Sequence, residues 1–358
     1  MPLFQQQGNA IIRRDADVIM RIEPWGPDAI RVRATPTREV RDDLPGALLP
    51  ARDAQVILEI SDAEATLTNG LLRAHMTAGG ELTFTRMSDG NTLTKEVRAP
   101  GFSPSRLFRP VEGDLFQMEA HFAARDGERL YGLGQNHHGK LDQKGTVIDL
   151  RQQNTRVSIP FLVSSEGYGF LWNNPGLGRV ELGMNKTRWV ADAAYQSDYV
   201  VMTGDGYGDI MRRYADCTGY PPLLPEFASG FWQCKMRYAN QQELLEVARE
   251  YHRRGLPVSV MVVDFMHWTY QGDWQWDTDD WPDPAGMIAE LREMGMELMA
   301  SVWPSVNRLS ENWAEMFTRQ LLIRTKQGQA ILNTFPDAPA FKDLKTMYYH
   351  PSQMYFYD

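Results

Sequence analysis

The stretch Val258-Ser259-Val260-Met261-Val262-Val263-Asp264 decides how the second half of this sequence is read. Its nearly unbroken apolar run marks a strand buried on both faces, the habit of parallel sheets. A carboxylate then ends the strand, which is costly unless it is paired or working. On the amino side, Asn240-Gln241-Gln242-Glu243 has the spacing of a capping box. Leu244, Val247, Ala248 and Tyr251 follow as one helical stripe, and Gly255 closes it. On the carboxyl side, Asp283-Pro284 opens a second helix, an N-cap followed by proline at the first helical position. Its stripe is Met287, Ile288, Leu291 and Met294, and Gly295 ends it. The pattern predicts further strands over Phe227–Cys234 and Leu298–Trp303, and a third helix from Ser310. Nine positions separate Gly255 from Asp264, and nine separate Gly295 from Pro304. Such strand–helix–strand units make parallel sheets whose function lies at the carboxyl ends of the strands. The spacing therefore places Asp264 to Trp268 and Trp303-Pro304 on one rim.

Working outward, Pro221, Pro222 and Pro225 make a stiff extended connector. The expected domains are 1–218 and 219–358. Before the connector, apolar residues alternate in short runs, as in Ala29-Ile30-Arg31-Val32-Arg33 and Tyr199-Val200-Val201-Met202. Turn signals such as Asn69-Gly70 and Asp89-Gly90 punctuate them. Many short strands with frequent turns predict a β-sandwich or barrel. The first helical pattern is Gly206 to Tyr214.

Composition narrows the partners. With 43% hydrophobic and 23% charged residues, the 358-residue chain has enough apolar surface to fold throughout. A net charge of -9 disfavours nucleic acid. Cys217 and Cys234 form neither a disulfide framework nor a metal-type spacing, which fits a reducing compartment. The start lacks a signal-peptide pattern, and no apolar stretch nears the ~20 residues that span a bilayer. A cytoplasmic protein without a membrane partner is expected; homo-oligomerisation is left open.

His137 and His138 are adjacent on an extended segment, so they point to opposite faces and read as an exposed loop rather than metal ligands. Asp277, Asp279, Asp280 and Asp283 lack the Gly and Glu of a calcium loop, and Asp283 is explained as a helix cap. No metal or cofactor is expected. The 10 Trp concentrate between Trp232 and Trp313, which fits either a Trp-rich core or rings that stack on sugars. A carboxylate beside indoles in Asp264-Phe265-Met266-His267-Trp268 suits sugar hydroxyls, with the carboxylate as acceptor.

At these residues the chain resembles glycoside hydrolase family 31, the α-glucosidase and α-xylosidase family. The specific parts are Gly230-Phe231-Trp232-Gln233-Cys234, Val263-Asp264, Trp276-Asp277 to Trp281-Pro282-Asp283-Pro284, and Ser301-Val302-Trp303-Pro304. Tyr131-Gly132-Leu133-Gly134 and Ile159-Pro160-Phe161 look like the family's amino-terminal sandwich. The resemblance implies a mutarotase-like β-sandwich followed by a (β/α)8 TIM barrel, here incomplete after about three strands. It implies a retaining mechanism with two carboxylates. It also implies that Asp264 binds hydroxyls of the sugar in the cleaved position, that Trp303 lines the same pocket, and that Trp232, His267 and Trp268 are neighbours.

In the family the nucleophilic Asp ends the fourth barrel strand and the acid/base Asp comes later. No segment before Asp358 fits either, so the expectation is a fragment that lacks its catalytic residues and is inactive alone. The bulky Phe265-Met266 after Asp264 leans the substrate towards terminal α-xylosides over α-glucosides of oligosaccharides. The alternatives are a non-catalytic carbohydrate-binding protein, or an epimerase built on the sandwich, for which no persuasive His and Glu pair is found.

Overall fold

Alternation at period two predicts strands buried on one side, and outer strands such as Leu72–Thr77 and Val147–Leu150 follow it, whereas Ala29–Thr35, Tyr168–Trp172 and Ser197–Thr203 are buried at every position, on both faces. The computed structural model describes residues 2–324, 328, 332–333 and 352–354, apart from 53, 102, 154, 265 and 266. It divides into two units, Met1–Pro221 and Pro222–Asp358.

The first unit is built of three antiparallel sheets. The largest has eight strands and centres on Ala29–Thr35, Ser197–Thr203 and Tyr168–Trp172. A five-stranded sheet centres on Leu115–Ala123 and Lys186–Ala194, and another runs as a meander from Val56 to Lys95. Their inner faces share one core, where Phe170 stacks on Trp189 at 4.9 Å and on Tyr199 at 5.1 Å between ring centres. Trp172 and Trp189 are therefore core residues. Within the stretch around Tyr131-Gly132-Leu133-Gly134, Leu130–Gly132 is a short strand paired with Phe161–Ser164. The helix Tyr207–Thr218 runs one turn beyond the apolar stripe that signals it, and buries Ile210 and Cys217 against the large sheet.

Burial in the sandwich is not purely apolar. The carboxylate of Glu96 is sealed in the core, where Arg106, Tyr199 (2.7 Å) and the amide of Leu82 (3.1 Å) donate to it. Arg31 binds Asp198, and Glu128 accepts from Ser164 and Tyr168. Each buried carboxylate has its donors, as the cost of desolvation demands.

The second unit alternates strand and helix. Strands β1 (Trp232–Lys235), β2 (Val260–Val263) and β3 (Glu297–Ala300) form a parallel sheet with β2 at its centre. Helix α1 (Gln241–Arg253) joins β1 to β2, and α2 (Pro284–Glu293) lies between β2 and β3. The Asn240 side chain accepts from Glu243 N at 3.0 Å, so the cap forms. Glu243 reaches back one residue further than a capping box, accepting from Ala239 N at 2.6 Å and pairing with Lys235. Both helices end alike. Gly255 N and Leu256 N donate to His252 O and Tyr251 O; Gly295 N and Met296 N donate to Arg292 O and Leu291 O. These are two Schellman endings, with φ of 65° at Gly255 and 77° at Gly295. Asp283 caps α2 through Gly286 N at 2.9 Å.

Element ends differ from the sequence pattern in consistent ways. Phe227–Cys234 is not one strand: Glu226–Ser229 is a 3₁₀ turn after Pro225, and pairing begins only at Trp232. Pairing in β2 starts at Val260, and β3 ends at Ala300 rather than Trp303. Only Val258 of these flanking apolar residues is buried; Phe227, Phe231 and Val302 are exposed, so an apolar run here does not mark the extent of the ladder. The third helix, α3 (Trp313–Thr318), starts three residues after Ser310, whose hydroxyl accepts from Asn312 N. Phe265, Met266 and the segment 334–350 lie outside the described residues.

Candidate functional site

Side-chain parity in the parallel sheet fixes which residues face which way. Met261 and Val263 pack with Leu244, Leu245, Ala248, Met287 and Leu291, so this face meets the helices. Gln233 on β1 shares it, accepting from the Tyr251 hydroxyl of α1 at 2.8 Å. The opposite face carries Trp232, Cys234, Val260, Val262 and Met299. Cys234 is level with Val262, and Val262 with Met299. Two residues on from Val262, at the same parity, comes Asp264.

The register aligns Lys235, Val263 and Ala300 at the carboxyl end of the sheet. Asp264 is the next residue after β2, and Ser301 N donates to Val263 O at 2.8 Å. Asp264 and Trp303 thus leave the sheet at the same rim, as the nine-residue spacing implies, and both are half-buried. Partial burial, and after it the charge of Asp264, push the Cys234 thiol above its ordinary pKa.

His267 and Trp268 are different in kind, since both are buried. The His267 ring lies 4.6 Å from Trp268 and 4.7 Å from Trp276, and Trp276 lies 5.3 Å from Trp281. His267 Nδ1 meets the main-chain oxygen of Asp264 at 3.4 Å, so this nitrogen carries the proton when the ring is neutral. Burial holds the His267 pKa below its usual value and so favours the neutral ring, although the hydrogen bond to Asp264 O pulls the other way. His267 and Trp268 therefore back the rim from inside.

Trp232 is not brought to the rim. It begins β1, level with Val260, four residues before Asp264 in register. That is about 13 Å down the strand, and its indole donates to Ala228 O at 3.2 Å.

From His267 onward the loop after β2 is tied down at several points. Asp277 N donates to His267 O at 2.7 Å, and the Thr269 hydroxyl to Asp277 Oδ2 at 2.8 Å. Further ties run to the segment after β3: Asn307 N to Gln271 O at 2.8 Å, Glu311 N to Asp273 Oδ1 at 3.1 Å, and Asn312 Nδ2 to Gly272 O at 2.7 Å. Gly272 is required at this crossing, because a Cβ there would stand 2.9 Å from the Val306 Cα. The ties to the segment after β3 leave little trace in the sequence, since each joins residues some 35 or more positions apart; the local signal is the glycine.

Among the described residues, no three His, Cys, Asp or Glu side chains gather as metal ligands would. His137 and His138 are exposed, and Asp283 is the α2 cap. No described helix is long and apolar enough to cross a membrane. In the sandwich, a cavity of about 310 Å³ lies beside Asn173, Asn174 and Asp198. Its polar groups are engaged with their own surroundings, Asn173 between Ala47 N and Asp198, and Asn174 on Asp198 O. The same unit does hold a His and Glu pair, His121 against Glu119 at 3.0 Å. Arg188 binds the same carboxylate through both its oxygens, and both members of the pair are buried.

Comparison with known proteins agrees with this architecture. Residues 221–356 match the glycosyl hydrolases family 31 TIM-barrel domain. Residues 19–181 match the glycosyl hydrolase 31 N-terminal galactose mutarotase-like domain. An uncharacterized family 31 glucosidase of Pseudescherichia vulneris is 41% identical over 94% of this chain and 67% of its own length. Alpha-xylosidase A of Aspergillus niger is 35% identical over 86% of this chain and 45% of its own. A family 31 α-xylosidase from a soil metagenome, solved with xylose, superposes with a TM-score of 0.88 at 38% identity. That match covers 98% of this chain and 52% of the solved one. The chain thus spans about half to two thirds of the length of these relatives. The mutarotase-like sandwich, the partial barrel and these matches together establish that the chain belongs to glycoside hydrolase family 31.

Proposed function

We propose that this chain carries the sugar-gripping part of a retaining α-glycosidase that removes terminal α-xylosyl or α-glucosyl units from oligosaccharides. The observation that carries the reading is the exit of Asp264 and Trp303 from one rim of a parallel sheet, beside a tightly tied loop. In this reading Asp264 accepts hydrogen bonds from the sugar hydroxyls and Trp303 covers a face of the ring. His267 and Trp268 hold Asp264 from behind, and Trp232 supports the same inner face lower down. The domains are the sandwich, 1–218, and the first part of the barrel, 219–358. The nucleophile and the acid/base carboxylate lie outside residues 1–358. Retention needs both, one to form the glycosyl-enzyme bond and one to protonate the leaving oxygen and later activate water. The α-xylosidases among the relatives favour xylose.

Two measurements on the 358-residue chain test this. D-xylose titrated calorimetrically is expected to bind, and Asp264→Asn to weaken it 10-fold or more, since hydrogen bonds to a charged group contribute about 1.5–3 kcal/mol. Equal affinity in the variant removes Asp264 from the site. Incubation with nitrophenyl α-xyloside is expected to release no nitrophenol above the uncatalysed rate; turnover refutes the placement of the catalytic pair.

A further inference from the structure

Two residues proposed to touch the sugar, Asp264 and Trp303, lie 39 positions apart, so something must set the gap between them. One loop holds the main-chain oxygens of both. His267 Nδ1 meets Asp264 O at 3.4 Å, and the Trp274 indole donates to Trp303 O at 3.1 Å. Trp274 also has φ +51°, a left-handed conformation that an L side chain adopts only when its surroundings impose it. Its half-buried ring packs on the cluster of Val306, Met316 and Leu322, beyond β3. Around it, Tyr270 N donates to Asp273 Oδ2, and Glu311 N and Asn312 Nδ2 fasten the loop to the next segment. The strained backbone is thus held from both sides, with the indole N–H directed at the residue before Pro304.

We infer that Trp274 is a positioning residue: through its N–H it fixes the Trp303 main chain relative to Asp264 and so sets the width of the sugar site. This rests on the sugar-site reading above. The two roles of the side chain are separable, because phenylalanine keeps much of the ring packing and loses the N–H, whereas alanine loses both.

The test uses the 358-residue chain labelled with 5-fluorotryptophan, with the Trp303 fluorine line assigned by Trp303→Phe. Trp274→Phe is expected to shift or broaden the Trp303 line, to lower the thermal midpoint by no more than the few degrees of one lost hydrogen bond, and to weaken D-xylose about fivefold. Trp274→Ala is expected to do the same and to lower the midpoint further, by the lost ring packing. An unmoved Trp303 line in Trp274→Phe overturns the inference, whatever xylose does. A moved line in a chain that binds no xylose supports the positioning and overturns the sugar site instead. Hydrogen exchange in the unsubstituted chain gives an answer that needs no variant. The Trp274 indole proton is expected to exchange slowly, and exchange at the rate of an exposed indole overturns the bond to Trp303.

Discussion

The sandwich and the barrel part solve the problem of charge in opposite ways. In the sandwich, ion pairs are built into the interior: Arg106 and Glu96 have side chains 6% and 0% exposed, and Arg31–Asp198 and Lys144–Glu128 are nearly as covered. In the barrel part, the described pairs sit on the surface of the helices, Arg249–Glu290 at 47% and 33% exposed being one of the more covered. Apolar residues show the reverse. The sandwich closes its inner faces on themselves, whereas Cys234, Trp232 and Met299 on the inner face of the parallel sheet remain exposed. In this sandwich the buried Glu96 connects different sheets, through Arg106 of one and Tyr199 of another. A strand–helix layer gains its stability from the apolar seam between helices and sheet.

The largest expected effect follows from the buried charges. Glu96→Ala leaves the Arg106 guanidinium sealed in the core without its carboxylate, and removing one partner of such a pair costs about 3–5 kcal/mol. The Tyr199 hydroxyl also loses its acceptor. Urea unfolding followed by near-ultraviolet circular dichroism should show the sandwich transition moving to much lower denaturant. A shift no larger than that of a surface substitution would mean that the pair is not sealed, and the contrast with the helices would vanish.

These buried pairs were not legible in the sequence, and the reason is geometric. Glu96 meets Arg106 and Tyr199 across sheets, and Arg31 meets Asp198 from 167 positions away. Period-two alternation says that a residue points inward and nothing about what it finds there. The parallel sheet was far more readable, because caps and Schellman glycines act within a few residues: Asn240, Asp283, Gly255 and Gly295 do what their spacing implies. The rim positions of Asp264 and Trp303 followed from counting between those glycines. Trp232 did not follow, because a residue's height along a strand depends on where pairing begins, and the 3₁₀ turn after Pro225 delays it. His267 and Trp268 share the Asp264 segment, yet burial gives them a supporting place that adjacency alone could not reveal. Trp274 was invisible as a partner of Trp303 for the same reason as the buried pairs.

A smaller effect separates the units by pH. Burial lowers the pKa of His121 in the sandwich and of His267 in the barrel part, in each case against a hydrogen bond that raises it. Both rings are thus neutral in the fold at pH values where the unfolded chain already takes up protons near its ordinary 6.5. The unfolded state then binds more protons, so stability falls as pH drops through that value towards the folded pKa. Both units should be less stable at pH 5.5 than at pH 7.5. His267→Asn should flatten the slope for the barrel part alone. A His267 ring proton that titrates at 6.5 or above by NMR would break the argument for that unit.

The smallest effect is the sharpest check of the comparison. Arg249 donates to both oxygens of Glu290, joining α1 to α2 in good geometry, and it is the kind of contact that invites credit for stability. Yet water reaches both groups, and ordering two long side chains offsets most of the attraction. The seam beneath, with Leu244, Ala248, Met287 and Leu291 almost wholly buried, already fixes the helix pair. Arg249→Ala is therefore expected to cost less than about 1 kcal/mol at 0.1 M salt and close to nothing at 1 M. Measured midpoints that fall as far as those of Glu96→Ala, and stay low at high salt, would show that the helix surface depends on its charges as the sandwich interior does.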